Sequence, residues 1–224
     1  MRAARSLMFV ALLPLFAGCQ LLESSPQAPS TAGLTRMQGE LGMANGKLVF
    51  KPCQGNTLYA VHDSGSTSVM QEAATLAGTQ HQVFADLRGR VPSAKVTDGQ
   101  AQLDVQQLYR LERSTSACNS PDFQKLILQA GGNTPNWSVK ISGKGMLVER
   151  AGQPALVLPY LEEQLGDGRF HLSSEANNQR VELWIAPQRC VDPSRPSVQF
   201  MSAELRVNDQ VQRGCAYFGG SRSD

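Results

Sequence analysis

The chain has no excess of charge to speak of. Its 224 residues carry 21 basic and 19 acidic side chains. Arg2 and Arg5 lie in a segment expected to be removed, which takes the basic count to 19, equal to the acidic one. No basic field is left to draw in a phosphate backbone, so nucleic acid is not an expected partner. Beyond Phe16 there is no long apolar run, which excludes a polytopic helical membrane protein. The composition also excludes collagen, a coiled coil and wholesale disorder. No C-x-x-C pair is present, so a thioredoxin-like redox site and a zinc knuckle both lack support. His62, His81 and His171 stand apart, with no H-x-H or H-E-x-x-H, and neither a metal nor another cofactor is expected. No G-x-S-x-G marks a nucleophile elbow, and no loop cradles phosphate.

What the chain does have begins at its N-terminus. Arg2 and Arg5 form a positive n-region, and Leu7 to Phe16 is a short apolar run interrupted by Pro14. It is too short to span a bilayer and reads as a secretory signal. The run ends Leu15-Phe16-Ala17-Gly18-Cys19, which resembles a bacterial lipobox, with Phe16 where that motif usually has Leu. The resemblance implies cleavage before Cys19, with diacylation of its thiol and acylation of the new terminus by chains such as palmitate. Several acyl chains make a stable anchor, at about 0.8 kcal/mol per buried CH₂. Gln20, rather than Asp, follows the cysteine. By resemblance to the sorting rule of such lipoproteins, the destination is the outer membrane, periplasmic side. Gln20 to Gly33 is rich in Ser, Pro, Ala and Gln and reads as a tether.

With Cys19 lipidated, Cys53, Cys118, Cys190 and Cys215 remain. Four cysteines in an oxidising compartment allow three pairings. Their spacing suggests one cluster in each half, which favours Cys53–Cys118 and Cys190–Cys215.

The periodicity is mainly that of strands. In the first half, Lys47 to Lys51 and Thr57 to Val61 read as short strands. Ser68 to Ala77 reads as a helix, with Ser68 and Gln71 as a capping box and Gly78 at C′. Val83, Ala85, Leu87 and Val91 alternate with Phe84, Asp86, Arg88 and Arg90, and Ala101 to Gln106 alternates likewise. The order β-β-α-β-β fits a small barrel or open sheet crossed by one helix. An OB-like barrel is among the alternatives, since the period does not decide topology. Ser114 to Asp122 is a polar break and the expected boundary between two domains. After it about eight strands follow, with turns at Gly143-Lys144-Gly145 and Asn208-Asp209 and one helical turn at Leu161 to Leu165. This spacing predicts an antiparallel barrel or sandwich.

Two short segments carry a resemblance. Gly132-Asn133-Thr134-Pro135-Asn136-Trp137 keeps the Gly, Pro and Trp of a G-x-E-P-x-W segment, with Thr134 in place of Glu. Cys190-Val191-Asp192 and the later Gly214-Cys215 match a C-x-D-x-M-S-G stretch and its G-C, although Ser194-Arg195-Pro196 replaces M-S-G. On these residues the second half, roughly 125–218, resembles a family of uncharacterised proteobacterial envelope lipoproteins with a META-like β domain. The resemblance supports pairing Cys190 with Cys215. The first half shows only a loose likeness, an F-x-x-C turn at Phe50 to Cys53. The expected organisation is a signal peptide (1–18), a lipidated tether (19–33), a small β domain with one helix (34–117) and a META-like antiparallel β domain (123–218).

No local motif demands catalysis. Asp63-Ser64-Gly65 resembles an aspartic-protease loop, but that chemistry needs two aspartates sharing a proton. A Ser/Gly turn leading into a helix explains it better. Glu162 and Glu163 are adjacent, so their side chains diverge and read as solvated charge. Asp192 reads as a turn acceptor, and Asn136-Trp137-Ser138 as a sequon without force in a bacterial lipoprotein. Trp137 starts an alternating strand and reads first as a core residue, with ligand stacking as the alternative. Trp184 lies on the opposite face from Val181, Leu183 and Ile185 and is a candidate contact residue if exposed. The expectation is a non-enzymatic outer-membrane lipoprotein that binds an envelope protein, glycan or small ligand. The rival is a periplasmic inhibitor of a lysozyme-like hydrolase, for which Tyr217 and Gly219-Gly220 are a thin signature.

Overall fold

The structure, a computed structural model, describes residues 32–78, 82–92, 101–114, 116–176, 178–192 and 196–222. The signal, Cys19, His81 and nearly all of the tether lie outside the described residues. The protein is mainly β. Its first half contains β1 (Thr35–Ala44), β2 (Lys47–Pro52), β3 (Tyr59–Asp63), α1 (Val69–Ala77), β4 (Val83–Arg90) and β5 (Ala101–Glu112). β1 pairs with β2 and β4, β2 with β3, and β4 with β5, all antiparallel. β3 runs parallel to β5, from Tyr59 opposite Ala101 to Asp63 opposite Val105, and closes a five-stranded barrel. The cyclic order β1-β2-β3-β5-β4, with the helix between β3 and β4, is that of an OB-type barrel.

The expected order β-β-α-β-β therefore lacks a strand, and the missing one is β1. Its sequence, TRMQGELGMA, has Gly39 and Gly42 where a strand signal would want branched side chains. Gly39 has a packing reason. A Cβ there would lie 2.2 Å from the Lys51 carbonyl oxygen and 2.7 Å from the Phe50 ring. At the other end, Asn45 and Gly46, both at positive φ, make the tight turn into β2. The helix forms where expected, but without the capping box. Ser68 sits at φ 62° and its side chain makes no cap bond. Asp63 orders the turn instead, accepting from the Thr67 backbone N–H at 2.8 Å and its hydroxyl at 3.0 Å. Val69, Ala73 and Leu76, at helical spacing, bury one face of α1 in the barrel core.

The second half contains β6 (Leu126–Asn133), β7 (Asn136–Ser142), β8 (Gly145–Arg150), β9 (Leu156–Leu158), β10 (Leu161–Gly166), β11 (Arg169–Ala176), β12 (Gln179–Asp192), β13 (Ser197–Val207) and β14 (Gln210–Phe218). They form an antiparallel sheet in the order β9-β8-β7-β6-β14-β13-β12-β11-β10. The sheet wraps one core, fed by alternate residues such as Trp137, Val139 and Ile141 of β7 and Val181, Leu183 and Ile185 of β12. Leu161 to Leu165, expected as a helical turn, is strand β10, with every residue exposed.

The two halves share strand pairing. Ser197, Val198 and Gln199 of β13 pair with Glu112, Leu111 and Arg110 of β5. Val198 is buried in the barrel core although it comes from the second half. The polar break at 114–122 is drawn against the barrel by Cys53–Cys118, and Cys190–Cys215 links β12 to β14. Both bonds follow the favoured pairing. From Gly33 on, the chain packs as one unit that holds every described strand, both cores and both disulfides, and so carries what it needs to fold.

Candidate ligand cleft and the arginine layer behind it

The alternation in β4 predicts one buried and one solvated face. In the structure both faces are buried, Phe84, Asp86 and Arg88 included. What covers the second face is the end of the chain. After β14, the backbone N–H groups of Gly219, Gly220 and Ser221 donate to the carbonyls of Ile127, Phe123 and Leu126. Arg36 of β1 ties this segment down. It donates to the Phe218 and Gly219 carbonyls at 2.8 and 3.0 Å and grips both oxygens of Asp86, at 2.9 and 2.6 Å. Asp86 is fully buried, and that burial holds its carboxyl above the usual carboxylate range, opposed by Arg36 and, more weakly, by Arg110 and Gln38. Arg110 lies between the rings of Phe84 and Tyr217, at 4.8 and 4.2 Å, with Glu112 3.5 Å from its Nη1. Guanidinium groups suit such a layer because they stack on rings while keeping donors in their own plane.

In front of this layer is a cleft of about 370 Å³ between the barrel and the sheet. Its floor is aromatic. Tyr109 meets Phe218 edge-on at 6.3 Å, and Phe218 stacks on Phe170 at 5.9 Å. Arg88 stands 5.9 Å from the Tyr109 ring, and Arg222 stands 4.4 and 4.9 Å from Phe218 and Phe170. Leu108, Phe200, Met201 and Pro187 add apolar wall, while Gln107 and Gln164 put carboxamides at its exposed rim. Arg222 is met from β10 by Glu162, at 3.3 Å. The described lining holds two guanidinium groups and two carboxamides, and neither a carboxylate nor an imidazole. Such a site, with the Tyr109 ring also in its lining, can hold and orient a ligand through a few polar groups on an apolar floor.

The residues singled out from the sequence fall elsewhere. Trp137 is 1% exposed and donates its indole N–H to the Arg213 carbonyl at 3.3 Å, so it is a core residue and not a contact residue. Trp184 is on the outward face as read, but half-buried, with the His171 ring stacked at 4.1 Å and the Arg206 guanidinium at 5.5 Å. Its ring is engaged within the sheet and also lines a surface depression with Arg206 and Arg213. His62 pairs with Asp104 at 2.7 Å on the surface, away from the cleft lining. Asp192, read as a turn acceptor, is followed by residues that lie outside the described ones. It ends β12 and accepts from Asn133 at 2.7 Å, which joins the two segments that carry the family resemblance. Tyr217 donates to Gln129 at 2.7 Å, and a Cβ on Gly219 or Gly220 would collide with Leu126 or the Phe123 ring. These three residues pack the chain end inward and form no projecting loop. No cluster of three or more metal-ligating side chains occurs among the described residues.

Arg88, Tyr109, Phe218 and Arg222 were not legible as a site. The one signal was the Phe84-x-Asp86-x-Arg88 face, too aromatic and too charged to be explained by either core or solvent alone. No protein-family model, curated protein or solved structure matches this chain.

Proposed function

We propose that this protein is an outer-membrane lipoprotein, anchored through Cys19 with its folded body in the periplasm, and that it works there by binding a ligand in the cleft rather than by catalysis. The observation that carries the binding half is the cleft itself, an aromatic floor bordered by two guanidinium groups. Its volume is within the usual range for small-molecule sites, and its few polar groups converge on an apolar floor. The anchoring half rests on the n-region, the apolar run and Ala17-Gly18-Cys19. The two parts have separate tests. Intact mass of the membrane-extracted protein is expected to show acyl mass on a chain lacking residues 1–18. Wild type and Cys19→Ser behaving alike, both unmodified, would remove the anchor. For binding, a fragment screen by NMR on the chain from Gln20 is expected to move the side-chain amide signals of Gln107 and Gln164. If no fragment of any charge moves them, the cleft is not the binding site.

A further inference from the structure

The sheet of the second half ends in two edge strands, β9 and β10, which follow one another in the chain and are guarded very differently. We propose that the free edge of β10 is a docking edge. It takes an extended basic segment of another protein as a further strand of the sheet, with a Lys or Arg opposite Glu163 and apolar side chains two residues to either side. This surface is distinct from the cleft, to which β10 contributes only Gln164.

Three observations carry it. First, the edge is open. Edge strands are ordinarily kept short, given Lys or Pro, or covered, because their unpaired N–H and C=O groups invite another strand. β9 is three residues long and runs into Pro159. β10 is six residues long, contains neither Lys nor Pro, and pairs only with β11 among the described strands. Every one of its residues is exposed. Its one irregularity, between Gln164 and Gly166, falls at the turn into β11. Second, its outer face carries a pattern that a partner strand would have to match. Leu161 and Glu163 share that face with their partners Ser173 and His171, and Leu165 borders the depression that Trp184 lines. Leu161 and Leu165 are both exposed, so the face reads apolar, acidic, apolar at strand spacing. A strand added here sets its own side chains opposite these three. Third, only one of the two adjacent carboxylates is open. Glu162 accepts from Gln164 at 2.6 Å and from Arg222 at 3.3 Å through the same oxygen. Glu163 is 72% exposed, and its one charged neighbour among the described residues is His171, whose Nδ1 lies 3.9 Å away. A second copy of β10, paired antiparallel over its whole length, would set Glu163 opposite Glu163, and like charges directly opposite destabilise a strand pair. A shift by one residue would turn the two leucines to the wrong face. The edge therefore resists its own copy and favours a basic strand.

The test adds two capped peptides to the chain from Gln20: Thr-Val-Thr-Lys-Thr-Val-Thr, and the same sequence with Glu at its centre. Both read alike in either direction, so strand polarity does not affect the comparison. Kd is read by NMR from the backbone amide signals of Leu161 to Leu165. The Lys peptide is expected to bind about fivefold tighter than the Glu peptide, since opposite charges attract across a strand pair and like charges repel. Glu163→Lys, at an exposed position, is expected to reverse that order. The Lys peptide is also made with N-methyl groups on alternate residues, in both possible sets. One set is expected to bind about tenfold more weakly, because its methyl groups replace the donors that face β10. Equal affinity for the two peptides, or an order that Glu163→Lys leaves unreversed, would overturn the basic partner. Full affinity of both N-methylated sets would overturn strand addition. Movement of the β10 signals with protein concentration alone would assign the edge to a second copy instead. If neither peptide moves these signals, β10 is not a docking edge, whatever the fragment screen shows at Gln107 and Gln164.

Discussion

Two surfaces of this molecule are built from the same chemistry and behave in opposite ways. The outward face of the barrel at β4 and β5 combines Arg36, Asp86 and Arg110 with Tyr109 and Phe84. The outward face of the sheet at β12 and β13 combines Glu182, Trp184, Glu204 and Arg206, with His171 and Arg213 beside them. One face is covered by the chain end and the other is left at the surface. Asp86, in the covered face, has its carboxyl pushed up by burial despite a two-point grip from Arg36. Glu204, in the open face, has its carboxyl pulled down, chiefly by the hydrogen bond from Arg206 with help from Arg213. The same pairing thus reverses sign with solvent. In the covered layer desolvation outweighs the attraction of the partner, and in the open layer the partner outweighs the little desolvation there is. The covered layer is therefore where a single substitution does most harm.

The largest contrast should come from Arg36→Met. It strips Asp86 of both contacts and leaves the Phe218 and Gly219 carbonyls without this donor. Removing one partner of a buried pair costs about 3–5 kcal/mol. The loss should depend on pH. A carboxyl held above its ordinary value favours the fold most when protonated, so its contribution is full below the unfolded value and falls as pH rises through the folded one. The variant pushes that folded value higher still. Urea unfolding of the variant should show a smaller deficit near pH 4 than near pH 7. An equal deficit at both would mean that the packing of Arg36, rather than the charge of Asp86, sets the cost.

The next contrast is Trp184→Leu in the open face. The substitution ends the stack on His171 and the contact with Arg206, while the core residues of the neighbouring positions, Leu183 and Ile185, face the other way. An aromatic pair of this kind contributes about 1 kcal/mol. Chemical denaturation should therefore show a loss of about 1 kcal/mol with an unchanged m-value. A loss comparable to that of Arg36→Met would put the outer face on the same footing as the covered layer.

How much of this could be read from the chain follows the same division. Alternation found the strands whose two faces see core and water, as in Trp137, Val139 and Ile141. Both disulfides could be read from the clustering of the cysteines, and Gly143-Lys144 and Asn208-Asp209 announced their hairpins. Three things were out of reach, each for a physical reason. β1 is a strand by virtue of its neighbours, Gly39 fitting against β2 rather than preferring extension. Leu161 and Leu165 are four apart, a spacing that one turn of helix and two steps of strand satisfy equally, so period could not choose. The covered layer could not be seen because Asp86 and Arg88 acquire their environment from Phe218 to Arg222, which local pattern does not connect to them. The cleft depends on that same distant meeting, so its residues were invisible for the same reason.

The smallest effect tests the open face directly. Glu204→Gln removes a carboxylate that accepts from Arg206 at 2.8 Å and from Arg213 at 3.0 Å, at a partly exposed site. Exposed pairs contribute about 0–1 kcal/mol, since water and salt screen them. The loss at neutral pH should therefore lie under about 1 kcal/mol and shrink further at high salt. The deficit should shrink on acidification, as that of the Arg36 variant does, but for the opposite reason. A carboxyl held below its ordinary value contributes stability above the unfolded value and loses it as pH falls through the folded one. Wild type and Glu204→Gln should thus differ at about pH 7 and converge as pH falls below the folded value in urea unfolding. The Arg36 variant and wild type should approach one another over the same descent, but because Asp86 becomes neutral inside the fold rather than because a surface pair is lost. A salt titration separates the two causes. About 0.5 M NaCl should erase most of the Glu204 difference and leave the Arg36 difference standing, since counter-ions reach the sheet face and not the layer beneath Phe218. A salt-insensitive Glu204 effect would mean that this face is shielded too.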